Sequence, residues 1–220
     1  MKISLAFLAL ASVASAANLN RREVPQEHSH DRFTDIPPPP PTSTQLTSPP
    51  PIQTFVDPIF GLLGDAKANA NAPDGNGVCL QQNTADQAIT LANGNKTIIA
   101  AALAYRALER NTQSVGGVSK PCTETPKNAI LAGLSQHQDP ASPNALAVNK
   151  AVEITLAKKL ASIGANPLDA LLTGTFAPGQ IGDPTAKGLT CDGKWCYSNC
   201  IFSNNRLVSA ATAADINAAV

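Results

Sequence analysis

Aromatic side chains are scarce in this chain: 4% of 220 residues, with one tryptophan and two tyrosines. Stacking platforms for bases and aromatic cages for cations are both built from such rings, so neither mode of recognition is well provided for. Charge is thin as well, at 15%, and 16 basic residues balance 16 acidic ones. Apart from Arg21-Arg22 nothing basic is clustered, which removes the electrostatic footprint of a nucleic-acid or anionic-membrane binder. Histidine occurs only at positions 28, 30 and 137. A histidine-rich metal cage is therefore excluded; His28-x-His30-Asp31 has the residues to hold a metal weakly, but its tail offers no fixed geometry. The one apolar run, Ile3 to Val13, is too short to span a bilayer, so no transmembrane segment is expected.

That run has a different meaning. Lys2 precedes it and the small residues Ala14-Ser15-Ala16 follow it, the arrangement of a secretory signal peptide, assigned here to residues 1–17. Arg21-Arg22 then offers a dibasic processing site, so residues 18–22 read as a short propeptide and the mature chain begins at Glu23. Cutting there removes Lys2, Arg21 and Arg22 and no acidic residue, leaving a mildly acidic protein.

Residues 23–74 form a linker. Pro37 to Pro41 and Pro49 to Pro51 are interleaved with Thr42, Ser43, Thr44, Thr47 and Ser48. Consecutive prolines hold polyproline II and donate no backbone hydrogen bonds, so no packed core is expected. In a secreted chain the same composition suits an O-glycosylated stalk. The short apolar patch Ile59 to Leu63 ends this region.

The helical domain is expected over 75–220, long enough for one core. Strand alternation is almost absent and helix signals follow one another, so the fold class is all-α, a disulfide-stapled helical bundle. The first helix is expected from Leu80 to Ala92, closed by Asn93-Gly94; Thr84 and Gln87, at capping-box spacing, allow a regular start only at Ala85. Asn95 caps the second, with Ile98, Ile99, Ala102, Leu103 and Leu108 inward and Arg106, Glu109 and Arg110 in water. Thr125-Pro126 opens a third, ended by Asp139-Pro140. The fourth, Pro143 to Gly164, is the widest. Ala145, Val148, Val152, Leu156, Leu160 and Ile163 recur at steps of three and four, Leu146 and Ile154 broaden the face, and Lys150, Glu153, Lys158 and Lys159 fall on the wet side. Ser142 is its expected N-cap, with Pro143 at the first helical position. Asn166-Pro167 starts a short fifth helix over Leu168 to Leu172, and Thr212 to Ala219 forms the last, with Thr212 and Asp215 at capping spacing.

Alanine fills many core positions, which thins the burial per residue and makes cross-links useful. Five cysteines are present: Cys79, Cys122, Cys191, Cys196 and Cys200. In an oxidising compartment they read as disulfides, although sequence does not fix the pairing. The expectation is Cys79–Cys122 across the helical hairpin and Cys191–Cys200 across a C-terminal loop, with Cys196 a free thiol, a competitor of Cys200 or an intermolecular partner. No metal is expected at C-x4-C-x3-C, which lacks a neighbouring histidine. Asn95-Lys96-Thr97 is an N-glycosylation sequon whose asparagine also suits a helix cap. Trp195, Tyr197 and Phe202 form either a recognition surface or the local packing of the loop. No catalytic set is found: Ser135, His137 and Asp139 stand two apart and cannot face one another on a helix, so His137 reads as structural.

The stretches DPIFGLLG (57–64), CLQQNTADQ (79–87), YRALERNT (105–112), SQHQDPA (135–141), GTFAPG (174–179) and CIF (200–202) are similar to a family of small secreted proteins of filamentous ascomycetes, often labelled circumsporozoite-like or cell-wall proteins. The resemblance covers the chain from about Asp57 to its end, together with RREVPQEHSHD after the signal. It implies a four-cysteine pattern corresponding to Cys79, Cys122, Cys191 and Cys200, from which Cys196 and the proline run depart. It implies an extracellular or wall-associated location and brings no catalytic residue.

The sequence thus points to a secreted, non-enzymatic fungal protein without cofactor, a monomer, wall-associated or of the effector type. Its expected partners are cell-wall polysaccharide or a host or other extracellular protein. A carrier of a small apolar ligand or lipid is the alternative, since several amphipathic helices can enclose a cavity.

Overall fold

The computed structural model describes residues 76–110, 112, 114–185, 188–189 and 205–220. The signal and processing residues, Arg21 and Arg22 among them, lie outside these, as do the proline-rich linker, Cys191, Cys196 and Cys200, and Trp195, Tyr197 and Phe202.

Four α-helices and two 3-10 helices make up the described domain: α1 (Asn76–Leu91), α2 (Lys96–Ala107), η1 (Ala129–Leu131), α3 (Ala145–Ser162), η2 (Pro167–Thr173) and α4 (Ala213–Ala219). The all-α class expected from the sequence is the one found, with a single antiparallel bridge between Thr175 and Val208 and no named strand among the described residues. Gly174 sits beside that bridge because a Cβ there would stand 2.5 Å from the Val208 carbonyl oxygen.

The hairpin of α1 and α2 turns at Asn93 and Gly94, both at positive φ (47° and 81°), where asparagine and glycine carry the least strain. Asn95 then caps α2, its Oδ1 accepting from the backbone of Thr97 at 3.0 Å and Ile98 at 3.3 Å. Helix α1 starts earlier than expected. Thr84 is buried within it rather than opening it, so the capping-box spacing of Thr84 and Gln87 carried no boundary.

Helix α3 is the packing centre, in contact with α2, η2 and α4. Its buried stripe runs through Ala145, Asn149, Val152, Glu153, Leu156, Ala157 and Leu160. Three corrections follow. Leu146 is 72% exposed and Val148 37%, so neither belongs to the core. Glu153, expected in water, is fully buried. Ser142 does not cap the helix: its N–H donates to the Asp139 carbonyl and its own carbonyl accepts from Ala145, forming a turn. The helix begins two residues later behind Asn144, at φ 60° and without a side-chain cap bond.

The third expected helix is absent as such; only η1 forms. Asn128 (ψ 113°) and Ala132 (ψ 131°) leave the helical region on either side of η1, and Asp86, reaching across from α1, accepts the backbone N–H of Lys127 and of Asn128. Gly133, at φ 75°, then turns the chain into an extended passage. The fifth element stands where expected but as 3-10 helix η2, capped by Asn166. Helix α4 carries both halves of its capping box, Thr212 and Asp215.

The apolar core joins Ala85, Ala88, Ala101, Ala102 and Ala107 to Leu103, Leu108, Leu131, Leu156, Leu160 and Ile216. Small alanines let the helices approach closely. Polar and charged side chains, among them Arg106, Glu109, Gln136, His137, Asp139 and Glu153, are buried as well.

Candidate functional site

The extended passage Ser135–Asp139 runs through the protein with Gln136, His137, Gln138 and Asp139 all buried. Being extended, it makes no helical ladder of its own, and groups from three directions bond to its backbone and its side chains. From α2, Arg106 donates to Gln136 Oε1 at 2.8 Å, and the Ala107 carbonyl accepts the His137 N–H at 2.8 Å. From α3, Asn149 accepts the Gln138 N–H at 2.7 Å and donates to the Gln138 carbonyl at 3.0 Å, as a neighbouring strand would. From the preceding loop, Ser119 donates its N–H to Gln138 Oε1 at 2.9 Å and Gly116 donates to Asp139 at 2.9 Å.

At the centre, His137 Nδ1 lies 2.6 Å from the Ala107 carbonyl and Nε2 lies 3.3 Å from Glu153 Oε1. A carbonyl only accepts, so Nδ1 carries a proton. Glu153 in turn accepts the backbone N–H of Ala210 at 3.1 Å and that of Ala211, tying the segment before α4 to the middle of α3. His137 and Glu153 therefore form a structural clasp, and no ring nitrogen is left to take a proton from a substrate. His137 reads as structural from the sequence, and its surroundings give that reading its chemistry.

A second polar cluster braces the disulfide. Cys79 and Cys122 are bonded with their Cα atoms 4.7 Å apart, the pairing expected from the sequence. Arg110 bridges the same two segments, donating to the Val78 carbonyl at 2.8 Å and to the Lys120 carbonyl at 2.9 Å. Burial lowers its pKa from the usual guanidinium value. Arg106 is lowered to about 10, first by burial and then by the charge of Arg110. Arg106, Glu109 and Arg110 are thus interior residues, not the solvated ones the spacing suggested. Among the described residues, one group of acid and sulfur atoms lies within 4.8 Å of one another, that of Cys79, Cys122 and Glu124. Both sulfurs are spent in the disulfide, so no thiolate remains there for a metal.

Asn95 is half-buried at the α1–α2 turn, and Lys96 and Thr97 beside it are exposed. The clasp and the arginines were missed by periodicity, although α3 held one signal. Asn149 and Glu153 stand four apart and flank Val152 on the stripe that continues to Leu156 and Leu160, which puts them inside. Among the described residues no helix is long and apolar enough to cross a membrane.

Comparison with models of protein families, with curated proteins and with solved structures finds no match.

Proposed function

We propose that this chain is a secreted, non-enzymatic fungal protein of the wall-associated type, in which a small helical domain is carried on a proline-rich segment and acts by recognising cell-wall polysaccharide. The observation that carries the reading is the Cys79–Cys122 disulfide, a cross-link that persists in an oxidising compartment and agrees with the signal-like run at residues 3–16. The non-enzymatic part rests on the clasp: the domain's histidine spends both ring nitrogens on Ala107 and Glu153. The resemblance to secreted ascomycete proteins supports the wall location.

The test is fractionation of the full chain expressed with an epitope tag in a filamentous fungus. Enrichment in the washed wall fraction, released by wall-degrading enzymes, is the expected result. Protein found only freely diffusing in the medium removes the wall reading. Capture by a host or other extracellular protein instead of the wall turns it into an effector-type reading.

A further inference from the structure

We propose that Asn95 is an N-glycan acceptor, with the glycan standing at the far end of α1 from the point where the N-terminal segment enters; this rests on the secretion reading above. Asn95-Lys96-Thr97 has the acceptor sequence, and the fold divides the two ends of the Asn95 amide between two tasks. Oδ1 caps α2 through the N–H groups of Thr97 and Ile98. Nδ2 donates to no described residue, and the adjoining Asn93, Gly94, Lys96 and Thr97 are all exposed. A sugar on Nδ2 therefore displaces no hydrogen bond of the fold, and Oδ1 continues to cap.

The chemistry is transfer from a lipid-diphosphate-linked oligosaccharide of the secretory pathway. Nδ2 attacks the anomeric carbon and loses one proton, the C–N bond forms as the sugar–phosphate bond breaks, and the lipid diphosphate leaves. Geometry then fixes where the glycan stands. Helix α1 spans Asn76–Leu91, 16 residues, or about 24 Å at the usual rise. The linker enters at its first residue, beside the disulfide, and Asn95 follows its last. The end of α3 lies at the Asn95 corner too, since the Lys96 ammonium comes within 3.5 Å of the Cβ position of Gly164. The glycan thus stands at the opposite end of α1 from Asn76, the residue to which the N-terminal segment is joined.

The experiment is secretion of wild type, Thr97→Ala, Asn95→Asp and Asn95→Ala from a fungal host, with peptide mapping of the secreted protein before and after a peptide-N-glycan amidase, which hydrolyses the bond between sugar and asparagine. Wild type is expected to carry a mobility shift that the enzyme removes, leaving aspartate at position 95. Thr97→Ala and Asn95→Asp lose the shift and stay folded, because each keeps an oxygen that caps α2. Asn95→Ala loses the shift and also melts earlier. An unmodified Asn95 peptide in secreted wild type overturns the site and leaves secretion standing; protein retained in the cytosol overturns both.

Discussion

His137 and Glu153 meet inside the protein with both side chains sealed from solvent and 3.3 Å between Nε2 and Oε1. Because Glu153 also holds the amides of Ala210 and Ala211, it binds two other parts of the chain through one side chain. Glu153→Ala would leave the imidazole and two amides without their acceptor. Breaking a buried pair in this way costs about 3–5 kcal/mol. Urea unfolding is expected to show that loss, and hydrogen exchange to show faster opening at Ala210 and Ala211. Stability equal to wild type would mean that the clasp carries no weight.

Arg110 and the disulfide fasten the same pair of segments by different means. The cysteines are separated by 43 residues, and closing a loop of that size stabilises by about 4 kcal/mol in the chain-entropy picture. Cys79→Ser with Cys122→Ser is expected to show a loss of that order in denaturant. Arg110→Ala should cost more in the serine background than in the oxidised protein, since the arginine's bonds to Val78 and Lys120 then carry more of the fastening. Coupling between such neighbours is on the order of 0.5–3 kcal/mol, and a double-mutant cycle measures it. Strict additivity would separate the two fastenings.

The helix ends were the legible part of this fold. Asn95, Asn166-Pro167 and Thr212 with Asp215 each announced a start through a side chain that satisfies amides within its own first turn, which is local chemistry and readable in sequence. Ser142 and Thr84 had the right residue type, but Ser142 is taken up in a local turn and Thr84 is packed inside α1. The interior was less legible. Periodicity places charge in water, yet Arg106, Glu109, Arg110 and Glu153 are buried. Arg106, Arg110 and Glu153 bond to the 119–137 and 208–211 segments and to the start of α1, separated widely in sequence. The tie between Asp86 and the Lys127 amide likewise spans 41 residues of sequence. Alanine-rich helices offer little apolar area, and the polar passage 135–139 fills the space they leave. The loop cysteines and aromatic residues fall outside the described residues, so their roles rest on the sequence alone.

Within α3 two leucines ten residues apart should respond in opposite ways. Leu156 is fully buried and Leu146 is 72% exposed. Leu156→Ala is expected to cost about 2–5 kcal/mol, and Leu156→Asp to abolish folding by burying an unpaired charge. Leu146→Asp should stay within about 0.5 kcal/mol of wild type, as surface changes do. Circular dichroism and thermal melts of the three variants decide the matter. A natively folded Leu156→Asp protein would show α3 to be peripheral.

The attachment of α4 should be acid-sensitive in a defined window. Lys150 donates to Asp215 at 2.7 Å, and the Thr212 backbone and hydroxyl donate to the same carboxylate at 2.9 and 2.8 Å. Together, with the Lys150 hydrogen bond first, they lower the Asp215 pKa from 3.8 to about 2. For an acid whose folded pKa is depressed, the stabilisation is fully present above the unfolded value and fades as pH falls through the folded one. Helix α4 is therefore held by this carboxylate above about pH 4 and progressively released toward pH 2. Protonation removes the negative charge at the helix start and the partner of Lys150 together, so fraying should begin at Ala213 and spread through Ile216. Amide exchange across 213–219 is expected to accelerate over that interval in wild type and to be nearly flat in Asp215→Asn, which keeps a hydrogen-bond acceptor but no titrating charge. An unchanged acid response in that variant would assign the sensitivity to another carboxylate.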